Sequence, residues 1–265
     1  PIWHAIMASI SNPTQVNVSK GLILFPLGNM DTTAYKMLLS YQSLWSGYRN
    51  TIFYIILSCA ITGTLTIVAG FVFSRNRFFY RNTFMLIISF TMLFNGGMIP
   101  TYMVIRNIGM VDTIWALVVP GSLSVFNIIL MRTSMQEISD SLEEAARLDG
   151  ANDFIIMFKI VLPLCKATFA VIMLFTIVMK WNDYMSALLY LPTKTELYPL
   201  QMELRKILFQ STKEITSASD VSSSTVYARN VEYGAIVIST LPILCVYPFV
   251  QKYFVTGMTI GAVKA

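Results

Sequence analysis

The stretch Ser141–Leu164, SLEEAARLDGANDFIIMFKIVLPL, is a dense group of polar side chains in an otherwise apolar chain. Ser141 and Glu144 form an S-x-x-E capping box, in which each side chain satisfies a free backbone amide at the start of a helix. Gly150 can adopt the left-handed conformation that ends such a helix. We therefore predict a short helix with a cap at each end.

A second helix is predicted directly after this one. Asn152 or Asp153 can accept a hydrogen bond at its beginning, and the apolar run FIIMFKIVL continues it until Pro163. The segment 137–163 is thus expected to form a pair of short helices at an angle, which is more organised than a simple connection requires.

Small and apolar side chains give the first helix a surface that suits contact. Ala145 and Ala146 permit the close approach of a partner's backbone, and Leu142 and Leu148 offer apolar contact. An amphipathic helix that lies on the inner membrane surface would have a similar composition. The residue types alone leave two alternatives, a docking helix or a surface helix.

A second group of polar and aromatic residues is the run WNDY, Trp181–Tyr184. Aromatic faces can stack on sugar rings, and an amide and a carboxylate can form hydrogen bonds with sugar hydroxyls. Trp181 or Tyr184 could equally anchor a helix at the membrane interface. The candidate residues of a translocation pathway are Asn95, Trp181, Asn182, Asp183 and Tyr184.

The sequence has no pattern that is typical of catalysis or metal binding. His4 is its single histidine, the three cysteines lie in apolar runs, and there is no G-x-x-x-x-G-K-[ST] phosphate loop for ATP hydrolysis. Asp183 is the one acidic residue near an apolar segment, which disfavours a proton- or sodium-coupled transporter. We predict no catalytic residue, no metal site and no cofactor bound by this chain.

The composition indicates a membrane protein. Of the 265 residues, 55% are hydrophobic and 12% are charged, whereas soluble domains carry about 25% charged residues. The formal net charge of +5 could indicate nucleic acid binding, but the basic residues do not form a stripe interleaved with aromatic residues. We therefore expect an all-α protein in a lipid bilayer, with no nucleic acid partner.

Apolar segments long enough to cross a bilayer identify five spans, because a helix needs about 20 apolar residues for this. The predicted spans are 51–73, 83–105, 113–131, 164–191 and 233–254. Residues 1–10 are expected to end an earlier, sixth span. Broken backbone at membrane depth is tolerated where it is packed in protein or lines a wet cavity. Simple kinking and a role in a pathway both explain the expected interruptions, at Asn95–Gly97 and Pro100, at Pro120–Gly121, and at Pro242 and Pro248.

Basic residues beside the ends of the spans predict the orientation. The connection 74–82 and the segment 137–163 carry such residues and should be cytoplasmic. The long segments 9–50 and 192–232 should then be extracytoplasmic. Basic residues of the second long segment could favour an anionic oligosaccharide or an acidic binding protein, although solvation of a loop is the simpler explanation; they are Lys194, Arg205, Lys206, Lys213 and Arg229.

The spacing within the polar segment resembles the cytoplasmic EAA loop of bacterial ATP-binding-cassette importer permeases. The matching residues are Glu144-Ala145-Ala146, Gly150, Ile160 and Leu162-Pro163. In that family the loop is a coupling helix that binds in a cleft of the ATPase subunit, and here it would be 142–150. A channel or a secondary transporter needs no such helix. The implied ATPase-coupling residues are Leu142, Glu144, Ala145, Ala146, Asp149 and Gly150.

The resemblance extends over nearly the whole chain through the stretches NGGMIPTYM, WNDYMSALLYL, YPLQMELRKIL and QKYFVTGMTIGAVKA. These look like carbohydrate-uptake permeases of the maltose-transporter type, in the MalG-like branch, and within it like LplC-type permeases. The resemblance implies one transmembrane domain over 1–265, with the type I importer fold, in the bacterial cytoplasmic membrane. It also implies the import of an oligosaccharide from a polysaccharide such as pectin, alginate or hemicellulose.

The same resemblance implies several partners. They are a second permease that forms a heterodimer with this chain, two ATP-binding subunits that carry ATP and Mg, and an extracytoplasmic solute-binding protein. The identity and length of the sugar, and which permease contacts it, are left open. The alternatives are a permease for another solute class and, less favoured, a channel or a secondary transporter.

Overall fold

The computed structural model of the chain describes the backbone of residues 1–94, 96–217 and 223–262. Side chains are described at 1–94, 96–209 and 226–245. Every regular element among these residues is helical, and they include no strand. The prediction of an all-α chain is therefore confirmed.

The helices range from single turns to two very long elements of 33 and 40 residues. The first half of the chain contains Ile2–Ser9, Pro13–Val18, Thr33–Ser40, Gln42–Ser74, Arg81–Phe90, Met98–Asn107, Trp115–Val118 and Val125–Gln136. The second half contains Asp140–Leu148, Asp153–Ile155, the π-helix Ile156–Val161, Leu162–Leu164, Lys166–Trp181, Met185–Tyr190, the 3-10 turn Thr195–Leu197, Leu200–Ser217 and Ser223–Ala262.

The predicted span 51–73 lies within one continuous helix, Gln42–Ser74. The residues of that span carry no charge, so lipid and apolar side chains can surround them. Within the described part of the chain, this is the one helix that is long and apolar enough to cross a membrane by itself. A second crossing results if Asp153–Leu164 and Lys166–Trp181, which meet at an angle of 84°, are counted together.

The predicted span 83–105 is divided into the helices Arg81–Phe90 and Met98–Asn107. The break includes Gly97, whose φ of +86° is in the region that favours glycine. Pro100 does not itself interrupt a helix, because it lies in the first turn of the second one, where a missing N–H group has no consequence. The interruption is confirmed, and its position is at the glycine.

The predicted span 113–131 is divided as well. The helix Trp115–Val118 is a single turn, and Val125–Gln136 follows it after a break that contains Pro120 and Gly121. Gly121 has a φ of +77°. The expected interruption at this pair is therefore confirmed.

The last two predicted spans differ from expectation in opposite ways. Within 164–191, the helix Lys166–Trp181 ends and Met185–Tyr190 begins after three residues, a break that the sequence did not indicate. Within 233–254, Pro242 and Pro248 lie inside the continuous helix Ser223–Ala262, so the predicted interruption there is wrong. Long apolar helices tolerate proline where local adjustments satisfy the freed carbonyl groups.

One compact unit consists of Pro1–Phe53 and Trp181–Tyr247. Buried polar side chains join its two segments. The amide of Asn50 donates hydrogen bonds to the carbonyl oxygens of Glu196 and Tyr198, at 2.8 and 3.1 Å. The two long segments that were predicted to be extracytoplasmic are thus in direct contact.

The other compact unit consists of Tyr54–Lys180 and the chain from Pro248 onward. Its core joins Gln42–Ser74, Val125–Gln136, the segment after residue 139 and Lys166–Trp181. The buried side chains are Ile67, Phe71, Met131, Met135, Ala146, Ile156, Met157, Val161, Cys165 and Ile172. The predicted cytoplasmic segment is therefore fixed to the long helices by apolar packing, which supplies most of the stability of such contacts.

A substitution at Gly47 tests the packing of the unit formed by Pro1–Phe53 and Trp181–Tyr247. A Cβ atom at this position would lie 3.1 Å from Cα and 3.3 Å from N of Leu200. We expect Gly47→Val to lower the free energy of unfolding by about 1–3 kcal/mol, because two helix backbones must separate. Thermal unfolding in detergent measures this. Gly21→Val is the control, since a Cβ there meets nothing within 4 Å; equal losses in both variants would contradict the prediction.

Candidate functional site

The helix at the centre of the polar segment is Asp140–Leu148. Ser139, not Ser141, caps its beginning: the hydroxyl of Ser139 accepts a hydrogen bond from the backbone N–H of Ser141 at 3.4 Å. The predicted capping box of Ser141 and Glu144 is therefore wrong. The chain enters the helix two residues earlier than the S-x-x-E pattern indicated, since Ser139 already has extended backbone angles.

The end of this helix agrees with the prediction. Gly150 has a φ of +84°, and the N–H of Ala151 donates to the carbonyl of Ala146 at 2.9 Å, as in a Schellman motif. Asn152 caps the next helix by accepting a hydrogen bond from the N–H of Ile155 at 2.9 Å. Asp153 instead forms an ion pair with Arg147, with 2.5 Å between Oδ1 and Nη2.

The predicted ATPase-coupling residues do not all lie on the surface. Ala146 is buried in the core of its own unit, so the expectation that both alanines face a partner is wrong for this one. Leu148 is 90% exposed and Leu142 is 42% exposed. Glu144, Ala145, Asp149 and Gly150 are exposed as well. Five of the six predicted residues are thus accessible to a partner.

Glu143, which sequence reasoning did not select, fixes the inner face of the helix. Its carboxylate forms an ion pair with the guanidinium of Arg75, and both side chains are buried. The guanidinium also lies over the ring of Phe71, 4.9 Å from its centroid. The neighbouring side chains of Asn76 and Asp140 form a 3.3 Å hydrogen bond. The two segments that were predicted to be cytoplasmic are therefore joined.

Once the structure places Ala146 in the core, helix spacing accounts for the burial of Glu143, although not for its partner. Glu143 and Ala146 are three residues apart and so lie on one face of a helix, while Glu144 lies on another. The core position of Ala146 therefore places Glu143 towards the interior. The sequence shows two adjacent glutamates, and the structure gives them opposite environments.

The buried environment of Glu143 disfavours the charged form of its carboxyl group. Burial raises the pKa of the carboxyl above its ordinary value, and the attraction of Arg75, and then of Arg147, offsets part of this effect. Two further guanidinium nitrogens of Arg75, Nε and Nη2, have no hydrogen-bond partner among the described residues. Buried pairs of this kind contribute little net stability, yet they are costly to break on one side. We therefore infer that the pair serves to hold the helix in position and not to increase the stability of the fold.

Removing one member of this pair should therefore lower the free energy of unfolding more than removing both members does. We expect Glu143→Ala to lower the free energy of unfolding by about 3 kcal/mol, because the Arg75 charge is left buried and unpaired. The double variant Arg75→Met with Glu143→Met should recover most of this loss. Thermal unfolding in detergent is the measurement, and Glu144→Ala is the matched control, with little expected change. A double variant that is as unstable as the single one would refute this view.

The run 181–184 has mainly structural roles. Trp181 is 7% exposed, donates from Nε1 to the carbonyl of Ser239 at 3.1 Å, and packs near the ring of Tyr48. The carboxylate of Asp183 accepts a hydrogen bond from the N–H of Ser186 at 3.0 Å, at the beginning of the next helix. Trp181 is therefore not accessible to a solute in the structure, contrary to the expectation of a stacking face.

The other candidate pathway residues have different environments. Asn182 and Tyr184 are exposed, and the ring of Tyr184 lies 4.8 Å from the guanidinium carbon of Arg205. Asn95 lies outside the described residues. The role of these residues in a pathway stays a prediction.

A cavity of about 320 Å³ lies in the unit that contains Tyr54–Lys180, where sequence reasoning placed no site. The ammonium of Lys180 borders it and donates a hydrogen bond to the carbonyl of Leu117. The other polar or aromatic lining residues are Thr62, Ser124, Phe126, Asn127, Phe175 and Thr176. Hydroxyls, an amide and rings in one cavity can contact a sugar. These residues come from three helices, which explains why no local pattern indicated them.

Comparison with known proteins identifies the family of this chain. Residues 62–260 match the family described as binding-protein-dependent transport system inner membrane component. Over its whole length the chain is 38% identical to the polygalacturonan/rhamnogalacturonan transport system permease protein YtcP of Bacillus subtilis (strain 168), of which the match covers 92%. It is 34% identical to Protein LplC of the same organism, again over its whole length and 88% of the relative.

A solved structure is also similar. It is the crystal structure of a bacterial ABC transporter involved in the import of the acidic polysaccharide alginate. The TM-score is 0.85 at 34% identity, with 96% of this chain and 90% of the other covered. The predicted importer permease fold and the membrane location are thereby confirmed. The chain belongs to the family of inner-membrane components of binding-protein-dependent transport systems, as an ABC importer permease.

Proposed function

We propose that this permease moves an acidic oligosaccharide, of the kind released from pectin or alginate, across the bacterial cytoplasmic membrane. The names of the two similar proteins support this class, since one refers to polygalacturonan and rhamnogalacturonan and the other to alginate. Hemicellulose fragments, or another solute class, are the alternatives. In this proposal the chain has no enzymatic site of its own and is driven by a separate ATPase.

The accessible outer face of Asp140–Leu148 is the observation that carries the coupling role. Leu148 is 90% exposed although the helix is otherwise well fixed, and Leu142 lies on the same short element. Apolar side chains at such a position are typical of an interface. We assign this face, with Glu144, Ala145, Asp149 and Gly150, to contact with an ATP-binding subunit. Ala146 is left out, because it packs inside.

Movement of this helix can reach the long helices by two routes. The Arg75–Glu143 ion pair leads to the end of Gln42–Ser74. The π-helix Ile156–Val161 and the 84° bend after it lead to Lys166–Trp181. Rigid-body motion of a small element can thus be transmitted to both helices, as in transporters that alternate between two access states.

Membership of the importer family supports a set of partners. We propose two ATP-binding subunits, which bind ATP and Mg, and a second permease that completes the pathway as a heterodimer. A solute-binding protein would contact the long segments 9–50 and 192–232. Within this chain, the cavity beside Lys180 is the candidate part of the pathway inside the membrane, together with Asn95 and Asn182 as untested positions.

The coupling role can be tested by changing the exposed face alone. We expect Glu144→Arg and Leu148→Asp each to reduce sugar uptake at least about tenfold, because a charge is reversed or buried at an interface. Membrane insertion and thermal stability should be unchanged. Uptake and ATP hydrolysis are measured in proteoliposomes that contain the purified complex and the binding protein.

Ile108→Asp is the matched control, because Ile108 is also a highly exposed aliphatic residue but lies between two predicted spans, outside every segment assigned to a partner. Normal uptake in both coupling-face variants would overturn the proposal. So would purification of the wild-type chain without any ATPase. The same assay with neutral and uronic-acid oligosaccharides tests the substrate class, and stimulation by neutral sugars alone would overturn the acidic assignment.

A further inference from the structure

A second cavity lies in the unit formed by Pro1–Phe53 and Trp181–Tyr247. Its volume is about 370 Å³, within the range of small-molecule sites. Gln201, Arg205, Leu208 and Phe209 line one wall, and their spacing places them on one face of the helix Leu200–Ser217. The opposite wall includes Tyr184, Ala235, Ile236 and Ser239.

The guanidinium of Arg205 is held between two aromatic rings. Its central carbon lies 4.8 Å from the ring centroid of Tyr184 and 5.3 Å from that of Phe209. Both rings are partly exposed, so each retains free surface towards the cavity. Such stacking fixes the planar group in one orientation without using its N–H donors.

One of these donors has no acceptor. Nη1 of Arg205 is buried and has no hydrogen-bond partner among the described residues. A buried charged donor without a partner is costly, so native structures rarely retain one without a function. The group is therefore positioned to receive an acceptor that the described part of the chain does not supply.

The charges around Arg205 favour an anion. No acidic residue is among the described residues that line the cavity. Glu203, two positions away, is already paired with Lys206, with 3.2 Å between Oε1 and Nζ. The interpretation of Arg205 as a solvated loop charge is thus replaced by that of a positive group in a partly enclosed, aromatic cavity.

We propose that Arg205 binds the carboxylate of one uronic acid residue in this cavity. The planar fork of arginine matches the two carboxylate oxygens, the rings of Tyr184 and Phe209 contact the apolar face of the sugar, and the amide of Gln201 binds its hydroxyls. The carboxylate thereby supplies the acceptor that Nη1 lacks. This subsite rests on the proposed import of acidic oligosaccharides, and it makes Arg205 a residue that selects for charge.

Binding to the purified complex, without nucleotide, tests this subsite directly. The ligands are trigalacturonate and its trimethyl ester, which has the same sugar chain but no charge, and ligand-observed NMR titration gives each Kd. We expect Arg205→Gln to weaken trigalacturonate binding about tenfold or more while the ester is little affected, because a charge-assisted hydrogen bond is lost. Arg205→Lys should retain part of the preference.

Arg106→Gln is the matched control, because it removes one exposed arginine charge that lies outside the cavity and outside the segments assigned to the binding protein. Unchanged trigalacturonate binding in Arg205→Gln would overturn the subsite. Equal loss of acid and ester would overturn it too, and so would a wild-type complex that binds no trigalacturonate. A wild-type complex that binds the sugar but neither hydrolyses ATP in response nor transports it would instead overturn the proposed function and leave the subsite supported.

Discussion

The buried ion pair between Arg75 and Glu143 is the contact on which the two predicted cytoplasmic segments of this permease depend. It crosses 68 positions of sequence and joins the end of the long apolar helix Gln42–Ser74 to the nine-residue helix Asp140–Leu148. Apolar packing around Ala146 gives that helix its place, but packing alone is not directional. The ion pair adds direction, because a guanidinium and a carboxylate must face each other. In the proposed coupling role, motion of the short helix would be passed to the long one through this pair.

The two adjacent glutamates show how one helix serves two contacts. Successive residues of a helix point about 100° apart, so Glu143 can be buried while Glu144 is exposed. The inner face of Asp140–Leu148 is fixed by the buried Arg75–Glu143 ion pair, and the outer face remains available for a partner. A similar division is found in Leu200–Ser217, where Glu203 and Lys206 pair with each other and Arg205 faces a cavity.

The sequence predicted local features well and tertiary ones poorly. The all-helical class, the left-handed Gly150, the cap at Asn152 and the breaks near Gly97 and Gly121 each depend on a few neighbouring residues. The capping serine was misplaced because two serines near the start of the helix offer similar side chains. Trp181 was misjudged for a different reason: a tryptophan in the core and one at a membrane interface have the same apolar neighbours in sequence. The Arg75–Glu143 pair and the environment of Arg205 arise from distant segments, which no local pattern encodes.

The π-helix Ile156–Val161 has a consequence for mechanics. Its wider turn contains a residue more than an α-helical turn would, and turns of this type often occur at functional sites. If it tightened into an α-helix, the residue released would advance one flank by about 1.5 Å and rotate it by about 100°. A change between π and α winding would thus be a discrete step of translation and rotation between the short helix and Lys166–Trp181, and it would require no hinge in a flexible loop.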